Sequence, residues 1–124
     1  MLFRSAVNAS FAVLGLGTET GGSIQNPSSA QALVGIKPTY GLVPNDGVVP
    51  LSGTYVDVVG PMAKTVFDAA LTLDVLAGPT TEDLATYASV GMVPEDGFVA
   101  ALDARSLEGA RFGLVGTEIG RAHV

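Results

Sequence analysis

The sequence predicts an α/β fold, and three observations carry that prediction. Short runs at 11–16 and 111–115, apolar or Gly apart from Arg111, have strand length and no helical spacing. Between them, Val66, Phe67, Ala70, Leu73 and Leu76 recur at three- and four-residue intervals behind a capping signal, as a helix packed on one face requires. Recurring Pro and Gly, with Gly60-Pro61 and Gly78-Pro79 among them, separate these runs into elements of ordinary length.

Composition narrows the function before any motif is read. Apolar residues make up 48% of the 124 positions, Gly adds 16 more and charged residues are only 15%, a balance opposite to that of a disordered chain. Six basic residues against twelve acidic ones leave a net charge of −6, which disfavours a phosphate backbone as partner. With no cysteine there is no disulfide framework, no thiolate metal site and no Cys nucleophile. The one histidine, His123, stands at the extreme end, which speaks against a His-based triad or a multi-His metal site. The chemistry therefore falls to hydroxyls, amines, carboxylates or backbone amides, with no cofactor or metal expected. No apolar run approaches the ~20 residues that cross a bilayer, so no membrane partner is expected either. The start, MLFRSAVNASFAVLGLG, is read as a buried strand entering a Gly-rich turn and not as a secretory signal, because Asn8 and Ser10 interrupt it. A cytoplasmic location is favoured, although cysteine-free chains also suit a periplasm.

The elements follow in order. Residues 11–16 (FAVLGL) are read as a fully buried strand, and 15–24 as a loop with four glycines and three hydroxyl residues. Pro27 forbids a long helix opening directly after that loop. Residues 28–36 read as a helical turn and a short strand, and 38–61 as irregular chain with recurring Pro and Gly. Thr65-x-x-Asp68 caps the clearest helix, which Gly78-Pro79 stops. Thr80-x-x-Asp83 is expected to cap a short helix near 81–89, and Pro94 or Glu95 to open a third helix reaching about Ala104. Beyond the turn at Glu108-Gly109, Arg111–Val115 reads as a strand.

The Gly-rich loop admits three chemistries. As a dinucleotide fingerprint, Gly15-x-Gly17-x-x-x-Gly21 is one residue too long, and Pro27 spoils the helix that would hold the pyrophosphate. As a phosphate loop it lacks the Lys before Ser23, where Gly22 stands. The third chemistry is acyl transfer: a serine after two glycines has an unobstructed Oγ, and successive amides at 20–23 can converge on one anion. Gly-Gly-Ser is also a plain linker tripeptide, and composition alone does not separate the two.

Residues 14–78, with the loop GTETGGSI, the segment VGIKPTYGLVP, the stretch D-x-x-GPMAKTV and the helix ending in VLAG, resemble the amidase signature family. SLEGARFGLV at 106–115 is similar to the strand that follows in such enzymes. The resemblance implies a mixed β-sheet core flanked by helices and an amide hydrolase with a Ser–Ser–Lys triad. In that reading Ser23 is the acylated nucleophile, and the backbone N–H groups of Thr20, Gly21, Gly22 and Ser23 form the oxyanion hole. A small-molecule amide is the implied substrate. A lysine relay needs neither His nor Cys, which suits the composition.

Two parts of the pattern are missing. The bridging serine belongs to a Ser-Ser-Gly-Gly-Ser segment of which Ser5-Ala6-Val7 resembles the tail, and the catalytic lysine stands farther upstream. Lys37 and Lys64 are read as surface or structural charges and not as substitutes. Residues 118–124 (EIGRAHV) match what a sequencing-adapter oligonucleotide encodes, so they are read as a non-native tail. Residues 1–117 are then a partial amidase-signature domain, an internal fragment expected to be inactive by itself. Two other functions stay open: the glutamine-hydrolysing amidotransferase subunit of the same family, and a non-catalytic binding module made of a truncated fold. Oligomeric state is not predicted.

Overall fold

The computed structural model describes residues 2–52 and 56–113. Its elements run α1 (Leu2–Asn8), β1 (Leu14–Glu19), α2 (Gln25–Ala30), β2 (Val34–Gly35), β3 (Val58–Ala63), α3 (Val66–Leu76), a 3-10 helix (Leu84–Ser89) and α4 (Gly97–Ala100).

The start of the chain is helical, contrary to the expected strand. Val7, 1% exposed, anchors α1 in the core. Ser10 ends the helix at a φ of 64°, with the Phe11 amide donating to the Ala6 carbonyl at 2.8 Å and the Ser10 amide to Val7 at 3.1 Å. That pair of bonds is the Schellman pattern, here on a serine instead of the usual glycine.

Three strands form one sheet in the order β1-β3-β2, antiparallel throughout, with Leu14 opposite Ala63 and Glu19 opposite Val58. The parallel pairings of a mixed sheet are not among the described residues. β1 is displaced towards the glycines relative to the expected 11–16 and is not fully buried. It stands at a sheet edge, and Leu14 and Leu16 face outward while Gly15, Gly17 and Glu19 turn in. A Cβ on Gly17 would come within 2.6 Å of the Met62 methyl, so the bare glycine is what lets β1 approach the core.

β3 is the element that Pro and Gly hid. The expectation of irregular chain through 38–61 fails at 58–61, because β3 is buried along its whole length. It lies between two clusters: Met62 packs with Val7, Ile24 and Leu33, and Val59 with Val43 and Leu73. Proline is rare in a central strand because it lacks a ladder donor. Pro61 is tolerated because only two-residue β2 faces that flank; its carbonyl accepts the Ile36 amide at 3.0 Å and the pairing ends there. At Gly60 a Cβ would lie 2.0 Å from the Ile36 carbonyl oxygen, a contact with backbone that only glycine permits.

The cap and extent of α3 match the sequence signal, but of the expected packed face Ala70 and Leu73 are buried while Val66 and Phe67 are 55% and 52% exposed. The Thr65 hydroxyl accepts from the Asp68 amide at 3.0 Å and donates to the Asp68 carboxylate at 2.6 Å. Ala69, Ala70, Thr72 and Leu73 form its buried face. Three later expectations change. The short helix near 81–89 is a 3-10 helix at 84–89, capped by the Asp83 carboxylate on the Ala85 amide (3.1 Å) and not by Thr80. The third helix is only the four residues of α4, fixed by the Asp74 carboxylate, which accepts from the Phe98 and Val99 amides. Residues 111–113 are not strand, and Leu114 and Val115 lie outside the described residues, as do 118–124.

Candidate active site

The strand period sets up the site. In β1 every second residue turns inward, so Glu19 follows Gly15 and Gly17 into the interior and is 2% exposed. A buried carboxylate needs donors, and the next turn supplies them: the Ile24 and Gln25 amides donate to Glu19 Oε2 at 2.7 and 2.9 Å. Burial pushes the Glu19 carboxyl up. The amides of Gln25, Ile24 and Gly22, aided by the Lys37 charge, outweigh that and hold it below its ordinary value of 4.5. The carboxylate thus ties the end of β1 to the start of α2, and residues 20–23 are forced to bridge the two in a tight turn.

Gly22 makes that turn possible at a φ of 95°, a conformation that side chains resist; a Cβ there would also meet the Asn26 side chain at 2.7 Å. The Asn26 amide closes the turn on the Gly22 carbonyl at 2.9 Å. Ser23 stands exposed immediately before Ile24, whose side chain is fully buried. Position 23 is therefore presented outward by a residue anchored directly behind it. Residues 20–23 lie past the last β1–β3 pair, Glu19 with Val58, so the strand ladder does not extend to their amides.

A second carboxylate builds the opposite wall. Asp57, 8% exposed, accepts the Thr20 hydroxyl on Oδ1 and the Leu51 and Ser52 amides on Oδ2 at 2.8 and 2.9 Å. Asn45 Nδ2 donates to the Asp57 carbonyl at 2.7 Å, and the Asn45 amide donates to Asp83 at 2.9 Å. These bonds hold the irregular segment 45–52 against the Ser23 turn. Between them lies a cavity of about 90 Å³ lined by Thr18, Thr20, Ser23, Asn45, Leu51 and Asp57, with Val48, Val49 and Val58 completing it.

Of the predicted site residues, Thr20 and Ser23 share this cavity, Gly21 is exposed on the turn, and the Gly22 amide is directed at Glu19. The two lysines stand elsewhere. Lys37 is exposed, and exposed Lys64 donates to Ser10 Oγ at 2.5 Å beside another cavity, lined by Ser10–Val13, Lys64 and Asp68. His123 lies outside the described residues. Glu19 and Asp57 carry no flag in a plain reading of the loop. The strand period would have placed Glu19 inside, whereas nothing local announces that Asp57 meets Thr20 across 37 residues of chain. Among the described residues no group of three or more His, Cys, Asp or Glu is arranged to hold a metal ion, and no helix is long and apolar enough to cross a membrane.

A model of the Amidase family matches residues 5–122, almost the whole chain. The chain belongs to the amidase family. Among curated amidase-family relatives, a probable amidase of Arabidopsis thaliana is 42% identical over 110 residues, covering 89% of this chain and 21% of its own length. A glutamyl-tRNA(Gln) amidotransferase subunit of Brachyspira hyodysenteriae is likewise 42% identical over 110 residues, covering 89% of the chain and 22% of that protein. The crystal structure of native peptide amidase from Stenotrophomonas maltophilia superposes with a TM-score of 0.71 at 38% identity, over 86% of this chain and 21% of that one. The fold is thus that of the amidase-signature enzymes, and this chain spans about a fifth of the length of the relatives it matches.

Proposed function

We propose that this chain is part of an amide hydrolase in which Ser23 carries the acyl group. The observation that supports this reading most is the placement of Ser23: exposed on a glycine turn beyond the strand ladder, beside a cavity, in a chain of the amidase family. Residues 1–117 belong to the catalytic domain, and the adapter-like wording of EIGRAHV marks 118–124 as a tail foreign to it even though the family match runs on to residue 122. The bridging serine and the buried lysine implied by the family resemblance come from sequence outside this chain.

In this mechanism the lysine, neutral because buried, takes the proton of the bridging serine, which takes that of Ser23. Ser23 Oγ bonds to the amide carbon, and of the four turn amides at Thr20, Gly21, Gly22 and Ser23 those of Thr20, Gly21 and Ser23 stabilise the resulting oxyanion while the Gly22 N–H stays on Glu19 and holds the turn; one such donor is worth about 3 kcal/mol. The proton returns along the relay to the leaving amine as the C–N bond breaks. Water then attacks the ester carbon, and the acid leaves with Ser23 restored. The chain by itself, without base or relay, is inactive.

The test uses the longer protein that contains this chain. A serine-directed fluorophosphonate should label it at Ser23, and Ser23→Ala should abolish both labelling and amide hydrolysis. Hydrolysis by the 124-residue chain itself, lost in Ser23→Ala, would overturn the claim of inactivity. A second reading, glutamine hydrolysis for transamidation, is supported by the equal 42% identity to the Brachyspira amidotransferase protein. Release of ammonia from glutamine in preference to simple amides selects it. A folded longer protein that is never labelled would favour a non-catalytic module.

A further inference from the structure

Thr20 and Asp57 meet where the β1–β3 ladder stops. The register sets Leu14 opposite Ala63 and Glu19 opposite Val58, so the next step along both chains brings Thr20 opposite Asp57. The ladder ends one step short of that pair, and a side-chain bond takes its place: the Thr20 hydroxyl donates to Asp57 Oδ1. This bond keeps the two chains together without engaging the Thr20 amide. Asp57 is itself fixed. It is buried, its Oδ2 accepts the Leu51 and Ser52 amides at 2.8 and 2.9 Å, and its carbonyl accepts from Asn45 Nδ2 at 2.7 Å. A carboxylate held at both oxygens, and at its own main chain, pins the hydroxyl bonded to it.

The residues between are not held by packing. Gly21 is exposed, and a Cβ built on it would meet nothing within 4 Å, so no neighbour orients this most permissive of residues. Its direction is set from its two sides, by Thr20 on Asp57 and by the Gly22 and Ile24 amides on Glu19. We infer that Asp57 is a positioning residue for amide hydrolysis, aiming the Thr20 and Gly21 amides at the oxyanion through the Thr20 hydroxyl. This rests on Ser23 being the nucleophile and on those amides being donors. A donor held in place beforehand needs no reorganisation as charge develops on the carbonyl oxygen. Aim of this kind counts in the transition state and not in substrate binding, so its loss lowers kcat and leaves KM where it was.

The experiment uses the longer protein and one primary amide, with kcat expressed per active site titrated by a fluorophosphonate. Thr20→Val keeps the side-chain shape and removes the hydroxyl; kcat per site should fall about tenfold with KM changed by less than about twofold. Thr20→Ser keeps the hydroxyl and should recover most of that loss. Asp57→Asn has one acceptor oxygen where the carboxylate uses two, and should lower kcat per site similarly. Combined with Thr20→Val it should add less than about twofold, because both act through the same bond. A merely structural tether would reduce the number of titratable sites and leave kcat per site unchanged, and that result overturns the proposal. So does a rise in KM alone, a Thr20→Ser variant as slow as Thr20→Val, or losses that multiply in the double variant. Should Asp57→Asn fail to fold, the two Thr20 variants decide. Ser23→Ala separates the readings: hydrolysis retained there means that the nucleophile assignment has failed and this inference with it, whereas a dead Ser23→Ala beside an unaffected Thr20→Val sinks the Asp57 inference alone.

Discussion

At the scale of single residues, Glu19 does what no motif reading assigns to it. Its carboxylate gathers the amides that would otherwise be orphaned where β1 meets α2, and so fixes the turn that offers Ser23. Glu19→Gln keeps the shape but turns one acceptor into a donor facing N–H groups, and should cost the longer protein about 2 kcal/mol in urea unfolding at pH 7. Burial opposes the charge, but the amides win and the folded pKa is depressed, so the contribution is complete above the ordinary value of 4.5 and fades as pH falls through the lower folded value. The stability gap between wild type and Glu19→Gln should therefore narrow below about pH 4.5 and stay constant from pH 6 to 8; a gap that widened in acid would contradict this assignment. Glu19→Gln should also slow fluorophosphonate labelling of Ser23, since the turn loses its clamp.

The elements show where local signals suffice. The bounds of α3 were legible because cap and stop agree over eleven residues, whereas its packed face turned to Ala69 and Thr72 and left Val66 and Phe67 exposed. Thr65→Ala should destabilise by about 1 kcal/mol, and Thr65→Ser should restore most of it, read as thermal unfolding of the two variants. β3 was not legible, because Gly60 and Pro61 are turn residues in most contexts and here serve a crossing of strands. The backbone of Ile36 fills the place where a side chain at 60 would stand. Gly60→Ala should cost about 2–3 kcal/mol, since the obstacle is a carbonyl that cannot rotate away; a neutral result by urea unfolding would mean that β2 is free to move aside. β1 lay three residues from its expected start because apolar content marked 11–13, while Phe11 and Val13 are 88% and 79% exposed and outside the ladder.

For the whole molecule, the decisive feature is apolar surface. Phe11, Val13, Val49 and Leu51 are each at least 79% exposed, and β1 carries Leu14 and Leu16 outward from a sheet edge. Open strand edges and apolar faces of this kind associate. The 124-residue chain expressed alone should elute as large aggregates in gel filtration, and a monodisperse monomer would show that these residues are covered from within.

By itself the sequence determined the α/β class, the cap and extent of α3 and the glycine turn with its exposed serine. These depend on neighbours within a few residues, where period and turn preference act directly. The tertiary structure alone decided that Glu19 is a buried clamp, that Asp57 reaches Thr20, that Asn45 Nδ2 donates to the Asp57 carbonyl, and that Pro61 runs through the sheet centre. Each of these depends on which distant backbone stands opposite, and a carboxylate, an amide or a proline reads identically in a sequence whether that partner is water or an N–H brought from many residues away.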